Sequence, residues 1–194
     1  MYNIKRLLQV GALQDGFSVA ALDTTNAFNS LYRKLLIDTV EGSLLESYTK
    51  WAYGKLSQLF LSDSLPIKSQ TVVQHGDPLG MTLFGITIEQ AIQRVRELNP
   101  DVRILAYEDD IYLIGIPKSL ERAANKIKEE LSYCGLNLNT SKSQLWPKLN
   151  EVDFQNLLLL STFNQNQEIL SVLGIPIAGN IRVNQHHAIR GAGN

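Results

Sequence analysis

The sequence has a single cysteine and few histidines, which excludes two kinds of site. Cys134 cannot form an internal disulfide, and His75, His186 and His187 form no Cys/His cluster of the kind that binds zinc. No apolar stretch approaches the roughly 18 residues of a membrane span, and the N-terminus lacks the pattern of a secretory leader. These absences predict a soluble intracellular protein, cytoplasmic or nuclear, that is neither secreted nor bound to a membrane.

Charge of either sign is also in short supply. The 194 residues carry 18 Lys and Arg against 19 Asp and Glu, a net charge of −1, which by itself is unfavourable for a nucleic-acid partner. The content of 44% hydrophobic and 19% charged residues is that of a globular domain and excludes a disordered chain, a collagen or a coiled coil. We expect a single domain over residues 1–194, with a short flexible end over 181–194.

Apolar periodicity predicts an α+β fold, with an antiparallel sheet backed by helices. Asp77 and Ser119 are the predicted N-caps of two long helices, and Gly135 is the predicted left-handed residue that ends the second. The predicted elements are, in order, a strand over 17–22, two helices between 27 and 59, an edge strand over 67–73, a helix from 77 to 98, a hairpin of strands 102–107 and 111–115 around a turn at 108–110, a helix from 119 to 134, and short strands within 136–177.

Three features are typical of a catalytic or ligand-binding site, although each also has a purely structural explanation. Asp23 follows the first strand, where it would either cap the next helix or present a carboxylate to a metal. Asp109 and Asp110 in the hairpin turn are either ordinary turn formers or a repelling pair that needs a cation. Gly76 and Gly80 flank a helix start, which is either a plain glycine-rich turn or a place where a nucleotide approaches closely.

Taken in this order, these segments resemble the palm domain of reverse transcriptases, over about residues 10–180. The segments that carry the resemblance are ALDTTNAFN at 21–29, VQHGDPLG at 73–80 and AYEDD at 106–110, followed by GLNLNTSKS at 135–143 and LGIPI at 173–177. The sequences NAFN and GDPLG are most similar to those of the non-LTR retrotransposon branch. The resemblance implies RNA-directed DNA polymerase activity on an RNA or DNA template with a primer, with deoxynucleoside triphosphates as substrates.

The resemblance also implies a catalytic centre with two Mg²⁺ ions. Asp23 and Asp109 would hold the two ions with help from Asp110, and Thr24 would lend a backbone carbonyl. Mg²⁺ needs only one or two carboxylates plus substrate phosphates, and a pair of such ions can activate a 3′-hydroxyl and stabilise leaving pyrophosphate. Lys142 would lie near the pyrophosphate, and the alternative is a solvated surface lysine.

Further residues are implied to contact the substrate. Phe28 would lie under the sugar and reject a 2′-hydroxyl, and the alternative is an aromatic packed in the core. Gly174 would lie in the turn that grips the primer. The remaining residues of the implied substrate site are Gln74, His75, Gly76 and Tyr107.

The sequence departs from the family pattern at two positions and at both ends. His75 stands where the family has glutamine, with Gln74 one residue too early, and Glu108 stands where an apolar or small residue is usual. Only 22 residues precede Asp23 and about 17 follow Ile177, so we expect fingers and thumb to be largely absent or supplied by a further chain. The alternative function is a catalytically inactive retroelement-derived fragment, or a scaffold that binds RNA or protein. A nucleotidyl cyclase on a similar sheet would leave the segment at 76–78 without a role.

Overall fold

The computed structural model describes residues 16–55, 57–59, 67–69, 77–146, 156–165, 169–172 and 175–178. The strands are β1 (Ser18–Leu22), β2 (Thr24–Thr25), β3 (Ser57–Leu59), β4 (Ile67–Ser69), β5 (Arg103–Tyr107), β6 (Asp110–Gly115), β7 (Asn137–Leu138), β8 (Gln144–Trp146), β9 (Ile169–Val172) and β10 (Ile175–Ala178). The helices are α1 (Ala27–Ser30), α2 (Arg33–Thr39), α3 (Glu46–Tyr53), α4 (Gly80–Leu98) and α5 (Pro117–Tyr133), with a 3₁₀ turn at Leu160–Thr162.

A four-stranded antiparallel sheet forms the centre, in the order β5-β6-β1-β8. Because side chains alternate along a strand, each strand sends every second residue to one face. Ala20 of β1, Leu113 of β6 and Leu145 of β8 face one side and belong to the main core. Val19, Tyr112 and their neighbours face the other side and form a smaller cluster. The two faces of the sheet therefore carry separate apolar clusters, of which the one on the first face is the larger.

Helices α4 and α5 cover the packed face. Their apolar residues recur at three- and four-residue spacing, which gives each helix a single hydrophobic stripe. Phe84 and Ala91 of α4 and Leu120 and Ile127 of α5 are fully buried in this core. This arrangement confirms the predicted α+β fold with helices behind an antiparallel sheet. Among the described residues, no helix is long and apolar enough to cross a membrane.

The helix starts differ from those predicted. Helix α5 begins at Pro117, whose fixed backbone angle suits a first helical position. Ser119 is therefore inside the helix, and its hydroxyl donates a hydrogen bond to Asp101 at 2.5 Å instead of capping. Helix α4 begins at Gly80, and a turn separates it from Asp77. Both predicted N-caps were therefore wrong as helix boundaries.

The remaining elements agree more closely with the sequence. Gly135 ends α5 with a φ of +87°, as predicted. The first predicted helix is divided into α1 and α2, and Gly42, with a φ of +75°, separates α2 from α3. The predicted strand at 67–73 is present as β4, which pairs with β3, and residues 70–73 lie outside the described part, as do 181–194.

Candidate active site

The strand register brings residues from three distant segments into one line. Leu22 pairs with Ile111, so Asp23, one residue beyond β1, lies next to Asp110 at the start of β6. Tyr107 pairs with Asp110 on the other side. These residues lie on the face of the smaller apolar cluster, opposite α4 and α5, because they alternate with the residues of the main core.

Lys142 completes this line on the β8 side. Ala21 pairs with Gln144, and the backbone N–H of Asp23 donates to the Ser143 hydroxyl at 3.0 Å, so the turn before β8 lies against Asp23. The charge of the exposed Lys142 lowers the pKa of Asp23 in opposition to burial. We call Tyr107, Asp110, Asp23 and Lys142 the site row.

A tight turn places the acidic residues of the hairpin. Only Glu108 and Asp109 separate β5 from β6, so the turn is one residue shorter than the predicted 108–110, and Asp110 belongs to the strand. Glu108 takes the left-handed conformation with a φ of +56°, which such a reversal requires at its first position. The turn therefore holds Asp109 beside the site row.

The turn that carries Lys142 is fixed by side chains that the sequence analysis assigned no role. Asn139 Oδ1 accepts hydrogen bonds from the Lys142 N–H at 3.2 Å and the Ser141 hydroxyl at 2.8 Å, and its own N–H donates to the Asp23 carbonyl at 2.8 Å. The fully buried Ser143 hydroxyl donates to the Asn139 carbonyl at 2.7 Å. Asn139 and Ser143 therefore join the turn to the Asp23 backbone. The polar sequence at 139–143 was the signal for such a turn.

The carboxylates of the site perturb one another. Burial raises the pKa of Asp110, and the charges of Asp109, Asp23 and Glu108 raise it further, while a hydrogen bond from Tyr112 lowers it. Burial also raises the pKa of Asp23, where Asp109 adds to the rise. Since like charges at close range disfavour ionisation, this part of the sheet is poised to accept a cation.

The donor set suits a hard divalent ion whose coordination the substrate completes. In the described residues, no group of three or more His, Cys, Asp or Glu side chains is arranged to hold a metal ion by itself. Mg²⁺, however, is typically bound by one or two carboxylates together with phosphates and water. Asp23, Asp109 and Asp110 supply such carboxylates, and their mutual repulsion is what a cation would relieve. The residues present therefore fit Mg²⁺ bound with substrate.

Thr24 and Phe28 lie directly after Asp23. The Thr24 backbone pairs with Leu138 of β7, and its buried hydroxyl oxygen has no hydrogen-bond partner within the described part of the chain. Phe28 on α1 is half-buried, and its ring centroid lies 4.6 Å from that of the buried Phe84. The ring thus packs on the core with one side, as the structural alternative predicted, and leaves part of its surface exposed. Its contact with a sugar stays a prediction.

The other predicted substrate residues are only partly placed. Tyr107 is 47% exposed in the site row. Gln74, His75, Gly76 and Gly174 lie outside the described residues, so their roles stay predictions.

Glu108 points away from the site row. It lies on the same side of the hairpin as Ala106 and lines an open groove of about 790 Å³ between the hairpin and α4, together with Gly85 and Ile86. Its charge still reaches Asp110, although it ranks behind Asp109 and Asp23 among the charges that raise the Asp110 pKa. The turn therefore separates the carboxylate of Glu108 from those of Asp109 and Asp110.

An antiparallel sheet with helices on one face and aspartates at adjacent strand ends on the other is the arrangement of a polymerase palm domain, although nucleotidyl cyclases share a similar sheet. The model of the family "Reverse transcriptase (RNA-dependent DNA polymerase)" matches residues 8–177. The chain belongs to the reverse transcriptase family. Members of this family generally use divalent metal ions and act on a nucleic-acid template.

Two curated relatives come from retrotransposable elements. The chain is 25% identical over 152 residues to the retrotransposable element SLACS 132 kDa protein of Trypanosoma brucei gambiense, which covers 71% of this chain and 12% of that protein. It is 27% identical over 145 residues to the Pol polyprotein from type-1 retrotransposable element R2 of Bradysia coprophila, which covers 68% of this chain and 17% of that protein. The chain thus spans a small part of the length of either relative. These relatives confirm the predicted non-LTR likeness.

A solved structure shows the same fold. The apo telomerase of Candida tropicalis, truncated from its C-terminal domain, superposes with a TM-score of 0.57 at 13% sequence identity. The match covers 91% of this chain and 37% of the telomerase chain.

Proposed function

We propose that this chain is the catalytic palm of an RNA-directed DNA polymerase, which transfers deoxynucleotides to a primer 3′-hydroxyl with two Mg²⁺ ions. The observation that carries the proposal is the site row, in which Asp23 and Asp110 lie side by side on adjacent strands with Asp109 in the adjoining turn. Chain connectivity alone would leave Asp23 and Asp110 far apart, and the antiparallel register unites them.

The residues would divide the work of the reaction between them. Asp23 and Asp109 would hold the ions, assisted by Asp110 and the Thr24 carbonyl. Bound Mg²⁺ supplies the charge that activates the 3′-hydroxyl and stabilises the pyrophosphate. Lys142 is exposed next to Asp23, and its ammonium would neutralise or protonate the leaving pyrophosphate.

Positioning of the nucleotide would rest on a second set of residues. The partly exposed ring of Phe28 would exclude a 2′-hydroxyl from below the sugar. The other proposed substrate contacts are Gln74, His75, Gly76, Tyr107 and Gly174. The partners would be an RNA or DNA template with a primer, deoxynucleoside triphosphates, and the fingers and thumb from other parts of the polypeptide or a further chain.

Primer extension on an RNA template with Mg²⁺ and deoxynucleotides tests this proposal. The chain should extend the primer at a low rate even without fingers and thumb, and Asp109→Asn should abolish extension while circular dichroism shows an intact fold. Asp38→Asn is the matched control, because Asp38 is an exposed carboxylate on α2 that pairs with Lys34, and it should extend normally. If the folded chain extends no primer but retains labelled primer–template in an anisotropy assay, the alternative of a nucleic-acid-binding scaffold replaces the polymerase.

A further inference from the structure

A bulge lies opposite Asp23. Two residue pairs of the strand ladders flank this position: Ala21 with Gln144, and Thr24 with Leu138. Between these pairs, the strand of Asp23 has two residues, whereas the opposite strand has the five residues 139–143. Extra residues on one strand form a bulge, and bulges are common next to active sites because they redirect side chains. The bulge at 139–143 carries Lys142, so its position relative to Asp23 sets where that side chain begins.

Three hydrogen bonds form a closed link between the bulge and Asp23. The Asp23 N–H donates to the Ser143 hydroxyl at 3.0 Å, and the Asp23 carbonyl accepts a hydrogen bond from the Asn139 N–H at 2.8 Å. The Ser143 hydroxyl in turn donates to the Asn139 carbonyl at 2.7 Å. A backbone N–H that is shielded from water needs an acceptor, and opposite the bulge a side chain supplies it. We call Asp23, Asn139 and Ser143 the serine bridge.

The Ser143 hydroxyl places the bulge, whereas other hydrogen bonds close it. The Ser143 N–H donates to the Asn139 carbonyl at 2.9 Å, and the Lys142 N–H donates to Asn139 Oδ1 at 3.2 Å, so the bulge is closed without the hydroxyl. Asp23 is well anchored because it follows β1, which pairs with β6 and β8. Within the bulge only Ser143 is buried, so packing fixes the direction of its hydroxyl. Loss of the hydroxyl should therefore shift the bulge relative to Asp23 without unfolding it.

We propose that Ser143 is a positioning residue that acts through Lys142, because its buried hydroxyl holds the bulge where the Lys142 ammonium stays beside Asp23. This inference rests on the proposed function, in which Lys142 serves the leaving pyrophosphate and Asp23 holds a metal ion. A lysine side chain is a flexible four-carbon stem, so it restrains its own ammonium poorly. The restraint must then come from the backbone, and the serine bridge fixes the backbone at the residue next to Lys142. A small misplacement of a reacting group is costly, since the rate depends steeply on its position.

The kinetic test compares Ser143→Ala, Lys142→Ala and the double variant with the parent chain in primer extension. Ser143→Ala should lower kcat about ten-fold and change the KM for the nucleotide by less than about two-fold, because the ammonium is displaced while the carboxylates stay. In the Lys142→Ala background the same substitution should change kcat by less than about two-fold, since residues that act through one group are not additive. Ser132→Ala, which alters an exposed serine of α5, should change neither constant. An equal loss of kcat in both backgrounds would show a merely structural role and overturn the proposal.

A second readout, hydrogen exchange measured by NMR, does not depend on turnover. In Ser143→Ala the Asn139 amide, which donates to the Asp23 carbonyl, should exchange about ten-fold faster. The Lys142 amide, bonded within the bulge, and the amides of β1 should keep the parent rate. Unchanged exchange at Asn139, or equal acceleration throughout β1, overturns the proposal whatever the activity. Acceleration confined to Asn139 in a folded chain that extends no primer supports the serine bridge and refutes the polymerase function, so the two failures are distinguishable.

Discussion

Replacing Asp110 by asparagine should stabilise the protein in the absence of divalent ions. Asp110 is half-buried and faces the negative charges of Asp109, Asp23 and Glu108, which with burial raise its pKa. Asparagine has the same shape, keeps an acceptor for the hydrogen bond from Tyr112, and carries no charge. The substitution therefore removes the repulsion without opening a cavity.

The size of the effect follows from the strand geometry. Like charges directly opposite each other on paired strands cost up to about 1 kcal/mol, and Asp23 is in this position relative to Asp110. Asp109 adds repulsion, and solvent at this half-buried site reduces it. We expect Asp110→Asn to raise the free energy of unfolding by about 1 kcal/mol. For a chain of this length, that corresponds to a rise in Tm of about 2 to 4 °C.

The pH dependence has a definite sign. The pKa of Asp110 in the native state lies above its ordinary value of 3.8, so the native protein binds the proton more tightly than the unfolded chain does. The parent protein therefore loses stability as the pH rises from 3.8 through the native pKa. The advantage of the asparagine variant should be complete above the native pKa and should vanish at acid pH, where Asp110 is protonated in both states.

Thermal unfolding of the parent chain, Asp110→Asn and the control Asp38→Asn measures this difference, first with a chelator and then with increasing Mg²⁺. Asp38 lies on an exposed helix surface beside Lys34, so its substitution should change the Tm little. Mg²⁺ at ten times its dissociation constant should stabilise the parent by about 1.4 kcal/mol, and the asparagine variant less, because it lacks one carboxylate. A variant no more stable than the parent in chelator, or one that gains equally from Mg²⁺, would refute the reasoning.

Three further substitutions test the packing around the site by urea unfolding. Phe28→Ala removes a half-buried ring that packs on Phe84 and should cost about 2 kcal/mol; a loss below about 0.5 kcal/mol would contradict this contact. Gly135→Ala should cost about 2 kcal/mol, because the residue has a positive φ and a Cβ would lie 2.7 Å from the Ser30 carbonyl oxygen. Asp77→Asn should cost about 1 to 2 kcal/mol at neutral pH. Since the native pKa of Asp77 is lowered from 3.8, its contribution should disappear as the pH falls through that native value; a loss that persists at acid pH would argue against an ionised Asp77 carboxylate that accepts hydrogen bonds from Tyr48 and Tyr53.

The sequence predicted the elements better than their boundaries. The short apolar run ending at Leu22 and the two runs of the hairpin predicted strands, because their lengths suit strands and acids or glycines bound them. The apolar stripes of α4 and α5 are also local sequence patterns, and they predicted the layer of helices behind the sheet. The start of α5 was missed because Ser119 and Pro117 are both good start signals, and Asp101, which decides between them by accepting the Ser119 hydroxyl, is far along the chain.

The hydrogen bonds of the Asp77 carboxylate show which contacts a local sequence pattern cannot predict. Asp77 is followed by a proline and then by the apolar stripe of a helix, which is the sequence pattern of an N-cap. Its carboxylate does accept a hydrogen bond from the Leu79 N–H. Its other two partners, Tyr48 and Tyr53, lie 29 and 24 residues earlier. Their spacing of five residues on α3 is not a recurring motif, and only the packing of α3 against the core directs both hydroxyls to one carboxylate.

Glu108 shows how the alternation of side chains along a strand can separate acidic residues that are adjacent in the sequence. In the sequence, Glu108 stands beside Asp109 and Asp110, at the position where the family pattern has an apolar or small residue. In the structure, Asp110 lies in the site row, whereas Glu108 lines the groove on the α4 side with Ala106. A two-residue turn with a left-handed first position is enough for this division. The departure from the family pattern at this position is therefore compatible with a site row that binds cations, and Glu108→Ala should change the Mg²⁺ affinity less than Asp110→Asn does.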